Sequence, residues 1–199
     1  MRQRAADGTR PALHSVSQRV FDALAADATA AAPSVLEIGC GGGALSIGLL
    51  ERGATSATGV DLSTESLEVA RGRAEVAGLS DRIRFEPGDG ALIPLAPHDW
   101  VVLDRVLCCY PDLDRLLGNS VSAAQNRYAF SVPASSGWRG FANRIWFWLE
   151  DATESLRGQP CRGYVHDIRR IEARLKDAGF RRTRSGVARL WYVAVFDRT

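Results

Sequence analysis

The stretch Glu37-Ile38-Gly39-Cys40-Gly41-Gly42-Gly43 sets a carboxylate beside a run of glycines, and Asp61 follows 18 residues after Gly43. Glycines have no Cβ, so a ligand can approach the backbone and the chain can adopt positive φ. A helix starting behind them offers free amide N–H groups to an anion. An acid at Asp61 can accept two ribose hydroxyls, and Asp89 supplies a further acceptor suited to an exocyclic amine. These residues suit a nucleoside-bearing ligand.

Taken alone, Gly39-x-Gly41-x-x-Ala44 with Asp61 also fits the dinucleotide fingerprint of nicotinamide enzymes. Glu37, two residues before the first glycine, decides against that reading: a carboxylate there would repel pyrophosphate and attract a cationic amino group. A ligand that joins a cationic amine, a carboxylate, a ribose and an aminopurine is S-adenosylmethionine.

The elements that must hold these residues follow from periodicity. Val16, Val20, Phe21 and Leu24 recur at helical spacing, predicting an N-terminal helix over about 15–29. Val35 to Ile38 reads as a strand, 44–50 as the helix behind the glycines with Gly53 as its stop, and Ala57 to Val60 as a second strand ending on Asp61. Ser63 is the expected N-cap of the next helix, which Gly78 closes. Ile83 to Phe85, Trp100 to Leu103 and Tyr128 to Val132 are predicted strands. Leu113 to Val121 forms a helix, and Asp167 caps a last helix that Gly179 stops. Phe180 to Val187 and Leu190 to Phe196 read as a closing antiparallel pair. Alternating strands and helices imply an α/β fold with a parallel sheet covered on both faces, whose ligands bind at the carboxyl ends of the strands.

With those elements in place, Val35 to Gly43 resembles the first motif of the class I, seven-stranded S-adenosylmethionine-dependent methyltransferases. Gly59-Val60-Asp61-Leu62-Ser63 is similar to their second motif, Phe85 to Asp89 to the third and Asp99 to Leu107 to the fourth. The resemblance covers about 34–198. It implies a three-layer Rossmann-like sheet ordered 3-2-1-4-5-7-6 with strand 7 antiparallel. It also implies that Gly39, Cys40 and Gly41 line the methionine end and that Asp61 holds the ribose. Leu62 would pack on adenine, Asp89 and Gly90 would meet the adenine edge, and Glu37 would anchor the amino end indirectly or through the loop. Arg105 would lie near the methionine portion through its backbone. Residues 1–33 are then an N-terminal extension and helix, and 34–199 one cofactor-binding domain.

Methyl transfer from a sulfonium mainly requires an acceptor held in line and away from water. If the acceptor is a hydroxyl, a base is useful, and His166 has a suitable intrinsic pKa; a structural hydrogen bond is the competing account. Tyr110, after the fourth strand, is the other candidate for the acceptor pocket, against a role as a satisfied buried tyrosine. Cys108 and Cys109 lie in the loop that floors the pocket in this family and read as lining, not as nucleophiles. No Asp-Asn pair complements Asp104, so no metal is expected. Amino-directed enzymes acting on DNA or glutamine carry Asn/Asp-Pro-Pro-aromatic after the fourth strand, whereas this chain has Asp104-Arg105-Val106-Leu107.

The segment 134–166 is the most individual part. On a helix, Phe141, Ile145, Trp148 and Leu149 form one stripe with Trp146 and Phe147 off it. Packing onto the sheet is the plain expectation; a lid over a flat acceptor or a foot on a membrane surface are the alternatives, with Arg139 and Arg144 able to meet acidic groups.

Composition bounds the partners. The 25 basic and 23 acidic residues leave a net charge of +2, too little to recruit nucleic acid. Lys176 is the one lysine, so no other lysine can act. The four cysteines, Cys40, Cys108, Cys109 and Cys161, show neither a disulfide framework nor zinc spacing. No run reaches the ~20 apolar residues of a membrane span, and the start lacks a signal-peptide core, so a cytoplasmic monomer or homodimer is expected. In 199 residues there is room for one core, which leaves acceptor recognition to the first helix and the Trp-rich segment. A fold that binds the cofactor without methylating remains the second reading.

Overall fold

The computed structural model describes residues 13–155 and 163–199. The polar first dozen residues and Cys161 lie outside them.

Chain order is α1 (Ser15–Ala31), β1 (Ser34–Ile38), α2 (Ala44–Glu51), β2 (Ser56–Asp61), α3 (Thr64–Val76), β3 (Ile83–Pro87), β4 (His98–Asp104), α4 (Leu113–Ala123), β5 (Ala124–Pro133), α5 (Gly137–Ser155), α6 (Ile168–Asp177), β6 (Phe180–Ala188) and β7 (Trp191–Arg198), with single 3-10 turns at Ser80–Arg82 and Leu107–Cys109. The sheet runs β3-β2-β1-β4-β5-β7-β6. All pairs are parallel except β5 with β7 and β6 with β7. The expected order and the antiparallel seventh strand are both present.

Alternation along β4 shows how one sheet serves two cores. Trp100 and Val102 face a core that contains Val20, Phe21 and Leu24 of α1, Leu49 of α2 and Leu67 and Ala70 of α3. Val101 and Leu103 face the other, with Leu116 and Leu117 of α4 and Ile171 and Leu175 of α6. Such two-sided burial is why β4 reads as an unbroken apolar run. Between β3 and β4 there is no helix, and a cavity of about 500 Å³ opens there beside Thr58, Arg84, Leu95 and His98.

The helix termini follow local chemistry. The Ser63 hydroxyl accepts the Ser66 amide and the Asp167 carboxylate accepts the Arg169 amide. Gly53, Gly78 and Gly179 sit at positive φ just past the ends of α2, α3 and α6.

α1 belongs to the domain instead of standing ahead of it. Its apolar stripe is buried, and its Asp27 carboxylate binds both Arg127 on β5 and Arg184 on β6, each at 2.7 Å. Those two guanidinium groups hold Asp27 down at about 2. Arg127 also pairs with Asp197 on β7 and lies 4.7 Å from the Trp100 ring centroid. β5 extends four residues earlier than its apolar run suggests because this polar start carries Arg127.

α5 departs from expectation. Phe141, Ile145 and Trp148, the stripe that should pack inward, face solvent, and the helix sits on the domain through Gly140 and Asn143. The Asn143 amide donates to the Ala134 and Leu190 carbonyls at 2.9 and 2.8 Å. A Cβ on Gly140 would stand 2.4 Å from the Ser135 carbonyl group, so the contact is backbone against backbone.

Candidate functional site

The glycine loop joins β1 to α2 at the carboxyl edge of the sheet. Gly39, Gly41 and Gly43 have φ of 69, 50 and 72°. Gly39 and Cys40 both donate their amides to the Val60 carbonyl, at 2.7 and 3.1 Å, which ties the loop to the end of β2. A Cβ on Gly39 would lie 2.2 Å from Val106, whereas one on Gly41 would meet nothing within 4 Å. The loop is therefore tight on its inner side and open over Gly41.

Asp61 closes that opening from the second strand. One carboxylate oxygen accepts the Gly41 amide at 2.7 Å and the other accepts the Ser63 amide at 2.9 Å. Its two oxygens are thereby fixed beside the open space, each with a lone pair left to accept. Leu62, the next residue, is 72% exposed, a flat apolar surface at the same edge.

Cys40 stands in the loop but points away from the opening: its sulfur lies 2.7 Å from where a Gly59 Cβ would be, in the core. Burial pushes its thiol well up. Only its backbone belongs to the loop surface.

Glu37 is also redirected. Sequence places its carboxylate toward a ligand amine; in the structure it is buried beneath the loop, where it accepts the Ser46 amide at 3.0 Å and the Ser46 hydroxyl. It thus occupies the N-terminus of α2 that sequence reserves for a ligand anion, and it leaves Glu37 to act through the loop. Burial, reinforced by Asp104 and Asp61, raises its carboxyl from the usual 4.5 to about 8. The folded chain then holds a proton that the unfolded chain releases, so stability falls as pH rises from about 4.5 to about 8 and levels off above. Glu37→Gln keeps an oxygen for Ser46 and removes the ionisation. Its ligand-free thermal midpoint is expected to gain on the wild type progressively between pH 5 and 8.5; a gap that stays constant across that range would refute the assignment.

Asp104, at the end of β4, receives the Ser131 hydroxyl at 2.6 Å and the Ser17 hydroxyl of α1. Arg105 follows at φ 58°, donates its amide to the Ser131 hydroxyl at 2.9 Å and sets its guanidinium 3.8 Å from Asp104. Its carbonyl accepts from both Cys108 and Cys109 thiols, at 3.5 and 3.7 Å. The Cys109 hydrogen bond and burial push the Cys108 thiol up, which fits lining and not nucleophilic attack.

Tyr110, expected to line the acceptor pocket, turns its hydroxyl toward the third-strand acid. Its hydroxyl donates to Asp89 at 2.9 Å, while the other Asp89 oxygen accepts the Ala91 amide at 2.8 Å. Partial burial and the Asp89 carboxylate raise the phenol, so Tyr110 is a poor base and a neighbour of the third-strand acid. His166 donates Nε2–H to the Tyr110 carbonyl at 2.9 Å and stacks on Tyr164, ring centroids 5.8 Å apart. That bond leaves Nδ1 as the acceptor of the neutral ring. The Tyr164 amide donates to Cys108 at 2.6 Å, so 164–166 is fastened to the turn after β4. The structure brings Asp89, Tyr110 and His166 into one chain of contacts and gathers Glu37, Asp61 and Asp104 around the glycine loop.

Sequence reasoning passed over several supports. Arg73 of α3 braces the Gly42 carbonyl at 2.9 Å, and Asn119 of α4 donates to the Gly90 and Ile93 carbonyls, both at 2.8 Å. Ser46 and Ser120 are polar residues inside apolar helical runs, a signal that would have marked them as buried and bonded. Arg73 and Asn119 carry no such mark. Among the described residues no cluster of three or more His, Cys, Asp or Glu could hold a metal, and no helix is long and apolar enough to cross a membrane.

Residues 35–125 match the family described as Methyltransferase domain. Over 46 residues, 23% of this chain, the sequence is 59% identical to the ubiquinone biosynthesis O-methyltransferase of Actinobacillus pleuropneumoniae. Over 83 residues, 40% of this chain, it is 37% identical to the release factor glutamine methyltransferase of Chlorobaculum tepidum. These matches span 19% and 28% of those relatives' own lengths. The solved magnesium protoporphyrin IX methyltransferase of Synechocystis PCC 6803 with bound SAH is similar at a TM-score of 0.71 and 25% identity, over 92% of this chain and 83% of that one. Domain match, sheet order and this likeness agree: residues 35–125 match a methyltransferase domain, and the chain has the fold of the class I S-adenosylmethionine-dependent methyltransferases.

Proposed function

We propose that this chain transfers a methyl group from S-adenosylmethionine to a small hydrophobic or aromatic acceptor, at oxygen or carbon, by direct displacement. The observation that carries the reading is the open space over Gly41, bordered by Asp61 with both oxygens already oriented. The relatives' names support the chemistry: one is a ubiquinone biosynthesis O-methyltransferase and another a magnesium protoporphyrin IX methyltransferase. Glutamine methylation is disfavoured by Asp104-Arg105-Val106-Leu107, which lacks the Pro-Pro-aromatic run of amino-directed enzymes.

S-adenosylmethionine supplies, when bound, a methyl group already activated by its sulfonium. The chain's residues then do four things. Asp61 accepts ribose hydroxyls, and Leu62 covers the adenine face. Asp89, steadied by Tyr110, accepts the exocyclic amine. Asp104 keeps negative charge around the methionine end, favouring its ammonium and sulfonium over neutral analogues, while Glu37, bonded to Ser46, supports the loop from beneath. His166 takes the proton from an acceptor hydroxyl at Nδ1 while the oxygen attacks.

Calorimetry and turnover test this together. S-adenosylmethionine should bind and NADH should not; tighter binding of NADH would overturn the reading. With radiolabelled cofactor and a panel of phenols, quinols and porphyrins, label should move to a small acceptor; tight binding with no product from any acceptor would leave a cofactor-binding protein. His166→Ala should lower kcat about 100-fold with cofactor affinity unchanged. Tyr110→Phe should do the reverse, raising KM for the cofactor about fivefold, the worth of one hydrogen bond, with kcat nearly intact.

A further inference from the structure

Helix α5 turns Gly140, Asn143 and Phe147 toward the domain and its other aromatic residues among those described outward. Trp138, Phe141, Ile145, Trp146 and Trp148 are each 44% to 70% exposed. Single exposed apolar side chains are ordinary; a contiguous group of five on one helix is an interaction surface.

Its border is cationic. Arg144 is exposed on the helix itself. Arg139 lies 4.9 Å from the Trp138 ring centroid and donates to the carbonyl of Arg189, which stands exposed at the β6–β7 turn. From Pro133 to Trp148 the sequence contains no acid, and Glu150, Asp151 and Glu154 follow only in the last turns of α5. A second copy of this chain is a poor occupant, because a self-complementary contact would set these arginines against their own kind with no carboxylate among the described side chains of the patch to meet them. Tryptophans at the level of lipid headgroups, flanked by arginines, suit an anionic bilayer.

Position agrees. α5 follows β5 and the β6–β7 turn precedes β7, so the patch lies at the end of the sheet that carries the glycine loop. Behind it, Phe147 packs against Gly163, which leads into Tyr164 and His166.

We propose that the outer face of α5, with Arg189, docks this protein on an anionic lipid surface, the aromatic side chains entering at headgroup depth. The proposal does not depend on methyl transfer, and its readouts need none.

The test uses the full chain with vesicles of phosphatidylcholine alone or with about one third phosphatidylglycerol. Binding, followed by co-sedimentation and by a blue shift of tryptophan emission, should favour the anionic vesicles and weaken in high salt. Arg144→Gln should reduce binding about fivefold, as expected for one arginine near such a surface, and Phe141→Ser with Trp148→Ser at least tenfold. Because these side chains are exposed, both variants should melt close to the wild type, which separates lost docking from lost folding. No binding to either vesicle would overturn the proposal. So would patch-dependent dimers without vesicle binding, or binding that Phe141→Ser with Trp148→Ser leaves unchanged.

Discussion

Asp61→Ala is expected to weaken S-adenosylmethionine binding by about 100-fold or more. Two ribose hydroxyls donating to a carboxylate are worth about 1.5 kcal/mol or more each, and about 3 kcal/mol corresponds to a factor above 100. The native carboxylate does a second task at once, since it holds the Gly41 amide and the Ser63 amide. Its loss therefore loosens the loop from β2 as well as removing the ribose acceptor. Calorimetry of the folded variant measures the affinity, and a thermal melt without cofactor measures the loosening separately. Asp61→Asn, with one acceptor oxygen and no charge, should fall between the two proteins. Affinity within a few-fold of wild type in Asp61→Ala would remove the residue from the ribose site.

A second large effect is expected to divide two glycines only two residues apart. Gly39→Ala puts a methyl 2.2 Å from Val106 at a φ of 69°. The left-handed backbone costs about 1–2 kcal/mol for a residue with a Cβ, and forcing Val106 aside costs about 1–3 kcal/mol. A total near 3 kcal/mol would lower the melting temperature of a chain of this size by about 6–12 °C. Gly41→Ala meets no neighbour, so its melt should fall by only the backbone cost while cofactor affinity drops steeply, because the methyl enters the ligand's space. Equal losses of stability in the two variants would show that the space over Gly41 is not a ligand cradle.

Val106 also ties the first glycine to the loop after β4, a contact no local motif reveals. The motifs around Gly39, Asp61 and Asp89 were legible because their causes are local: positive φ, strand ends and helix starts are written in adjacent residues. The destinations of Glu37 and Tyr110 were not, since each is decided by a partner set by tertiary packing, Ser46 under the loop and Asp89 across it. α5 misled for another reason. Apolar spacing identified its stripe correctly, but the side that docks is chosen by Gly140, small enough for backbone contact, and by Asn143, whose amide finds two carbonyls. Periodicity measures how apolar a face is and carries no information about which face finds a surface to fit.

Strand β6 has a consequence for how copies of this chain can meet. It forms one margin of the sheet, and between Phe180 and Ala188 its residues are exposed. Such a margin offers unpaired amides and carbonyls to any passing strand. Here it carries Arg181, Arg182 and Arg184 and an irregular register at 182–184, with Arg182 and Arg184 held in place by Glu172 and Asp27. Two such margins brought together would set arginine against arginine along a kinked ladder. Growth of the sheet by pairing of one β6 with another is thus opposed, and a crowded solution of this protein should resist ribbon-like association through that margin.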